Sequence, residues 1–408
     1  MHGNLKILGI ALVILGYGYF SKILNRYNIS GPMVFTIIGL LLSPLAFGSE
    51  PISLNSELVQ IIAEITLIIV LFSDASALNL KKLKKEWKLP ARLLIIGLPI
   101  TIIFTTYVAK GFFPEESVIY LLLLALVLAP TDAALGKAVV SEKKVPENIR
   151  STINVESGLN DGIVFPVLLT VTAIIMSGTV GEGQGEGWLG YVIKQVIFGS
   201  IIGALVGYVG ARLSTWVIKK KWMEEHYENL VPIALAIFSY YLAEYFGGNG
   251  FIAAFFSGLF LGNHSEELRD NVENFAESEG ELLIMICFLV FGIAFLPEFI
   301  PYMDLSVLIY SILSLTILRM LPVALSLIGK ANISTMLFIG WFGPRGIASI
   351  LYMLIVIHEL GSIEGHEKLF AVMSLTIFLS IFLHGLSAKP FANLYAKSNK
   401  VTVEKKGE

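Results

Sequence analysis

The stretch ESGLNDG (156–162), followed directly by IVFPVLLTVTAIIM (163–176), sets two carboxylates and an amide into a segment that is otherwise apolar. About 20 apolar residues in helical form cross a bilayer. A charge at the centre of such a helix costs at least ~2.5 kcal/mol, so it needs a partner, a watery cavity or a task. Ser157 and Asp161 are four apart and share one helix face; Glu156 and Asn160 form a parallel pair one step round. One stripe can line a cavity while its neighbour meets a partner.

The rest of the chain fits a membrane setting. Of its 408 residues 55% are hydrophobic and only 15% charged, with a mean hydropathy of +0.76; soluble domains carry about 25% charged residues. The net charge of −3 gives no basic field for a nucleic-acid partner. Cys287, the one cysteine, reads as a small buried hydrophobe. Thirteen apolar spans are expected: 4–22, 31–49, 57–79, 90–110, 116–140, 148–177, 189–219, 228–246, 249–263, 280–297, 304–329, 334–359 and 367–388. The first lacks a small-residue cleavage site and reads as a retained helix.

Charge distribution orients the spans. With the N-terminus outside, Lys22, Arg26, the six basic residues of KKLKKEWKLPAR (81–92), Lys137, Lys143, Lys144, Arg150, Lys219 to Lys221, Arg269, Lys330 and the C-terminal lysines all fall on the cytoplasmic side. The glycine-rich SGTVGEGQGEGWLG (177–190) separates six spans from the remainder. A seventh span as connector leaves two six-helix halves of opposite orientation, the inverted-repeat plan of many secondary transporters. The fifth span of each half carries a proline beside a charge, in LAPTDAA and WFGPRGIAS. Proline interrupts a helix, and paired interruptions point to a substrate site near the midplane. The expected fold is therefore an all-α polytopic membrane protein of 13 transmembrane helices, with helices 5 and 12 broken. The whole chain, 1–408, reads as one transport domain, with no cytoplasmic regulatory domain expected after KSNKVTVEKKGE.

The ionisable residues at membrane depth are Asp132, Glu156, Asp161, Arg319 and Arg345, with Asp74 near the end of the third span. Thr131, Ser157, Asp132, Asp161 and freed backbone carbonyls offer the oxygen ligands that hard monovalent cations want. A carboxylate withdrawn from water can carry a cation or a proton, but not both well. Glu156 is the natural partner of Arg345, as a structural ion pair fixing crossing helices; Arg319 either meets a helix C-terminus or pairs with another carboxylate. Glu244 reads as interfacial, His264 and His384 as helix-end residues without metal-ligand spacing, and the acidic 265–281 stretch as a solvated amphipathic segment.

APTDAA (129–134), NVESGLNDG (154–162) and WFGPRGIAS (341–349) together resemble the cation/proton antiporters of the NhaP and eukaryotic sodium/proton exchanger branch; VLFSDASALNLKKLKKEW (70–87) is similar to their third helix and the basic loop after it. The resemblance implies a homodimer in the cell membrane, with a moving core bundle (roughly 90–177 and 304–388) and a dimerisation domain (roughly 4–79 and 189–297). It implies that helices 5 and 12 cross at the ion site. Asp161 is then the principal cation- and proton-carrying carboxylate, with Thr131, Asp132, Ser157 and Asp74 around it and Glu156 with Arg345 as the buried pair. Asn160 stands where the electrogenic branch has a second Asp, which implies electroneutral exchange. Gly158 stands where Leu is usual, which implies looser helix packing.

The function expected is electroneutral exchange of a monovalent cation (Na+, Li+ or K+) for H+ by alternating access. No cofactor or enzymatic activity is expected, and the partners are the lipid bilayer and a second copy. The rival readings are a cation-coupled solute symporter on a related fold, an intramembrane aspartyl hydrolase using Asp132 and Asp161, and a passive channel.

Overall fold

In the computed structural model the described residues are 2–47, 54, 56–132, 135, 144–177 and 185–404, and all regular structure among them is helical. In chain order they form α1 (His2–Arg26), α2 (Gly31–Leu41), α3 (Glu57–Ala77), α4 (Lys88–Phe112), α5 (Val118–Val127), α6 (Glu147–Ser177) and α7 (Gly185–Lys219). There follow α8 (Glu225–Tyr245), α9 (Gly250–His264), α10 (Glu266–Tyr302), α11 (Leu305–Leu327), α12 (Ile333–Trp341), α13 (Ile347–Leu360) and α14 (Glu367–Glu404). Among the described residues seven helices are long and apolar enough to cross a membrane: α3, α4, α6, α10, α11, α14 and the Ile193–Lys219 part of α7. Four shorter apolar helices, α2, α5, α9 and α13, join them.

Among the described residues each expected span falls on helix, and two of the interruptions shape the site. Among the described residues span 116–140 is helical as α5 and again at Leu135; residues 129–132 leave the helix, and 133–134 and 136–143 lie outside the described residues, as do 178–184 of the glycine-rich 177–190 stretch. Span 334–359 divides into α12 and α13 around 342–346. Both breaks coincide with prolines, Pro130 and Pro344. Helix starts follow side-chain capping: Asn249 accepts from the Ile252 amide at 3.0 Å and Asn332 from the Thr335 amide at 2.8 Å.

Packing is set by small residues. Gly199, Gly203 and Gly207 of α7 lie against the backbone of α9 at Asn249, Ala253 and Ser257, where a side chain would meet main-chain atoms. Gly258 and Gly262 carry the opposite face of α9 onto the carbonyls of Phe72 and Ser76 in α3. Such contacts let backbones approach where lipid supplies no hydrophobic drive between helices. They seat α9 between α7 and α3. In α13, Ile350, Leu351, Tyr352 and Met353 are consecutive and all 0% exposed, so this helix is wrapped on every side.

The acidic 265–281 stretch is helical and amphipathic, burying Leu268 and Val272, but it runs on without a break into α10. His264 ends α9, as expected. His384 does not end a helix: α14 continues to residue 404 and His384 is buried within it. Hydropathy fades at 388 because the last turns of α14 are polar, not because the helix stops there. Cys287 is buried, 3.6 Å from the Thr66 hydroxyl.

Candidate functional site

A broken helix exposes unpaired carbonyls at one stump and unpaired amides at the other. Here two breaks cross and satisfy each other. The Asp132 amide donates to the Pro344 carbonyl at 2.8 Å. At the C-terminal stump of α5, Ser349 donates to the Val127 carbonyl at 2.8 Å, and the Arg345 guanidinium donates to the carbonyls of Ala129 and Pro130 at 2.9 and 3.0 Å. At the N-terminal stump of α13, the Asp132 carboxylate accepts from the Ile347 amide at 2.7 Å, and it also accepts from the Leu135 amide at 3.2 Å. The cation thus sits at the negative end of α5 and the anion at the positive end of α13, as the helix dipole favours. From α14, Ser380 accepts the Arg345 amide at 2.6 Å.

The motif Gly343-Pro344-Arg345-Gly346 follows from this geometry. A side chain at position 343 would run into the Arg319 guanidinium, and one at 346 into the Asp132 carboxylate. The two glycines make room for the two charges.

The buried ion pair differs from the one expected. Glu156 meets Arg319 at 2.5 Å, with the side chains 3% and 2% exposed. Arg345 is committed to the carbonyls of the α5 stump instead. Two arginines were available to one glutamate, and the carbonyls freed at Ala129 and Pro130 decide between them. Pairing settles the open question of Arg319 too.

The cation-ligand candidates gather where α6 passes the crossing. Ser157 donates to the Thr131 carbonyl, and the Asn160 amide donates to the Thr131 hydroxyl at 2.7 Å. Asp161 is 3% exposed; its backbone carbonyl accepts from Tyr352 at 3.2 Å, while its Oδ1 finds no hydrogen-bond donor among the described residues. The Asn160 Oδ1 is likewise buried and unmatched. Unsatisfied buried oxygens are rare because each loses its hydration without compensation. Asp161 borders a narrow cleft with Leu71, Gly162, Phe165, Phe251 and Phe255, which offers about 10 Å³ of free space. That is room for one small ion or water. Asp74, half-buried near the end of α3, lies within electrostatic reach of Asp132 and Asp161. Among the described residues no three His, Cys, Asp or Glu side chains cluster as ligands for a resident metal.

Gly158 is not a loose spot. A Cβ there would sit 3.2 Å from Leu78 and 3.5 Å from the Asp74 carbonyl, so the glycine lets α6 pack directly on α3. Glu244 accepts from the Gly250 amide at 2.7 Å and so caps α9. His384 lies 3.1 Å from the Ser380 hydroxyl. Ser349, Ser380, Tyr352 and the α9 phenylalanines also enter the site, and in the sequence the two serines are signalled only as hydroxyls inside apolar helices.

The K(+)/H(+) antiporter NhaP of Alkalimonas amylolytica is 27% identical over 95% of this chain and 66% of its own length. A Na(+)/H(+) antiporter of Schizosaccharomyces pombe is 24% identical over 93% of this chain and 89% of its own. A probable Na(+)/H(+) antiporter of the same organism is 25% identical over 73% of this chain. The chain spans 66% of the first of these relatives and 41% of the last. In fold it is similar to the sodium proton antiporter MjNhaP1 of Methanocaldococcus jannaschii, with a TM-score of 0.79 at 19% identity, over 97% of this chain and 100% of that one. The family model described as sodium/hydrogen exchanger, transmembrane, matches residues 9–394. With crossing helix breaks, a buried pair beside them and a family match across nearly its whole length, the chain belongs to the sodium/hydrogen exchanger family.

Proposed function

We propose that this protein exchanges a monovalent cation for a proton across the membrane, one for one, with both substrates competing for Asp161. The carrying observation is that Asp161 is almost fully buried, faces a cleft of ionic size and keeps an oxygen without a donor. Ser157 stands one turn before it on the same helix, where it and Asn160 hold Thr131, and Asp74 adds negative charge nearby. Asp132 supports the site from behind, its carboxylate oxygens engaged by the Leu135 and Ile347 amides. A site holding a cation or a proton is neutralised and crosses an apolar barrier more readily than the bare carboxylate, whose desolvation is costly. One such carboxylate, with an amide at Asn160, favours an electroneutral swap.

The architecture belonging to this reading is thirteen crossings in two inverted halves, the N-terminus outside and the C-terminus cytoplasmic. A core of roughly 90–177 and 304–388 moves against a dimerisation domain of roughly 4–79 and 189–297 in a homodimer of the cell membrane. The distribution of basic residues supports the orientation, and the matched breaks support the two halves. A solute symporter needs a roomier pocket than the cleft at Asp161 offers. An aspartyl dyad needs two carboxylates sharing a proton, whereas Asp132 is engaged with backbone amides.

The test is dye-reported proton flux in proteoliposomes, comparing Na+, Li+ and K+ gradients with and without an imposed voltage. Cation-driven flux unchanged by voltage is expected. Cation-driven uptake of an organic solute without proton flux, or flux that follows voltage, contradicts it.

A further inference from the structure

A second concavity lies away from the crossing, between α4 and α11. Ile100, Ile103, Phe104 and Tyr107 form one wall, and Leu321, Pro322 and Leu325 the other; its free volume is about 380 Å³. Both helices are distorted where they face each other. A π-type turn at Leu93–Gly97 runs into Pro99 in α4, and α11 is interrupted at Thr316 with Pro322 inside its second half. Such irregularities bend helices, and here they open a wedge between the two. Ile103 and Tyr107 remain 68% and 77% exposed on its rim.

One end of the groove carries positive charge. Arg92, two turns before Ile100 on α4, donates to the carbonyl of Ser326 and lies 3.5 Å from that of Ile328, which pins it to the end of α11. Gly329, at φ +73°, turns the chain back so that the Lys330 amide reaches the Leu327 carbonyl at 3.0 Å. Lys88 lies one turn before Arg92, and both Lys88 and Lys330 are exposed. Trp87, 54% exposed, adjoins them; exposed tryptophan marks the level of the lipid headgroups. A wholly apolar trough that ends at Leu325, beside the Arg92-pinned end of α11 and with Lys88 and Lys330 within about a turn in the chain, matches one ligand chemistry, a long acyl chain joined to a phosphate.

We propose that an anionic phospholipid seats here, one acyl chain between α4 and α11 and its phosphate among Lys88, Arg92 and Lys330. One turn before Pro322 the same helix carries Arg319, buried against Glu156. The lipid therefore braces the helix that holds the Glu156 pair.

The test uses the full chain, delipidated in detergent, with phosphatidylglycerol, phosphatidylcholine and glycerol 3-phosphate as probes. Retained adducts are read by native mass spectrometry, and thermal stability is followed alongside. Wild type is expected to retain phosphatidylglycerol over phosphatidylcholine by roughly tenfold. The exposed double substitution Lys88→Gln/Lys330→Gln should bring the two lipids level. Ile103→Trp, which fills the trough from its exposed rim, should remove the adduct of both lipids. Equal retention of the two lipids by wild type overturns the proposal, as does a preference unchanged in both variants. An equal stability shift from glycerol 3-phosphate alone also overturns it, because that marks a free-anion site.

Discussion

Glu156 and Asp161 sit on one helix, five residues apart, and each is 3% exposed. Their surroundings treat them oppositely. Glu156 meets Arg319 at 2.5 Å, so its charge is answered within the protein. Asp161 has an oxygen without a donor and a cleft in front of it. Burial alone therefore says little about which membrane charge is functional. What distinguishes them is whether the protein completes the coordination or leaves it for a substrate. Asp132 falls on the completed side, because its carboxylate is engaged by the Leu135 and Ile347 amides; Arg345 closes the α5 stump through one guanidinium nitrogen while its buried Nε finds no acceptor among the described residues.

The contrast breaks first, and most visibly, at Asp161. Asp161→Asn should lower cation-driven proton flux by at least about 100-fold, the scale of losing an essential proton-carrying group. Thermal stability should hold or rise, because no partner is stranded. Flux within a few-fold of wild type would put the carrier elsewhere.

Glu156→Gln should do the reverse, with stability falling by about 3–5 kcal/mol as Arg319 is left buried without its counter-charge. A double-mutant cycle sharpens this: Glu156 should couple strongly to Arg319 and weakly to Arg345. Strong coupling to Arg345 alone would restore the pairing suggested by the sequence.

Gly158→Leu tests how the helix bearing both residues is seated. Overpacking against Leu78 and the Asp74 carbonyl should cost about 1–3 kcal/mol in unfolding measurements. The smallest effect lies at the surface, where Lys368 meets Asp304 at 2.6 Å. This lysine, and next the Val307 amide, hold the Asp304 carboxyl below the usual carboxylate range. Lys368→Met should cost less than about 1 kcal/mol because the pair is screened by solvent. A lowered carboxylate contributes above its unfolded pKa, so even that difference should fade as pH falls below about 4.

Much of this was legible in the chain itself. Pro130 and Pro344 announce the breaks, and the spacing of Ser157 and Asp161 places them on one face. The partner of Glu156 was not legible. Sequence spacing registers side chains, but the acceptors that claim Arg345 are the carbonyls of Ala129 and Pro130, exposed only once the helix opens. His384 was misplaced because hydropathy follows the apolar part of a helix, and α14 outruns it. Gly158 could be read only with its neighbour in view: the space it saves is filled by Leu78, far away in sequence.

The central claim is that cation and proton exclude each other at Asp161. The most direct measurement is the apparent KM for Na+ (or whichever cation drives flux) in proteoliposomes across pH, with both faces of the membrane held at the same value. Competition predicts that KM rises by about tenfold for each pH unit once the site is protonated on the acid side. A KM that stays flat while flux falls would contradict it.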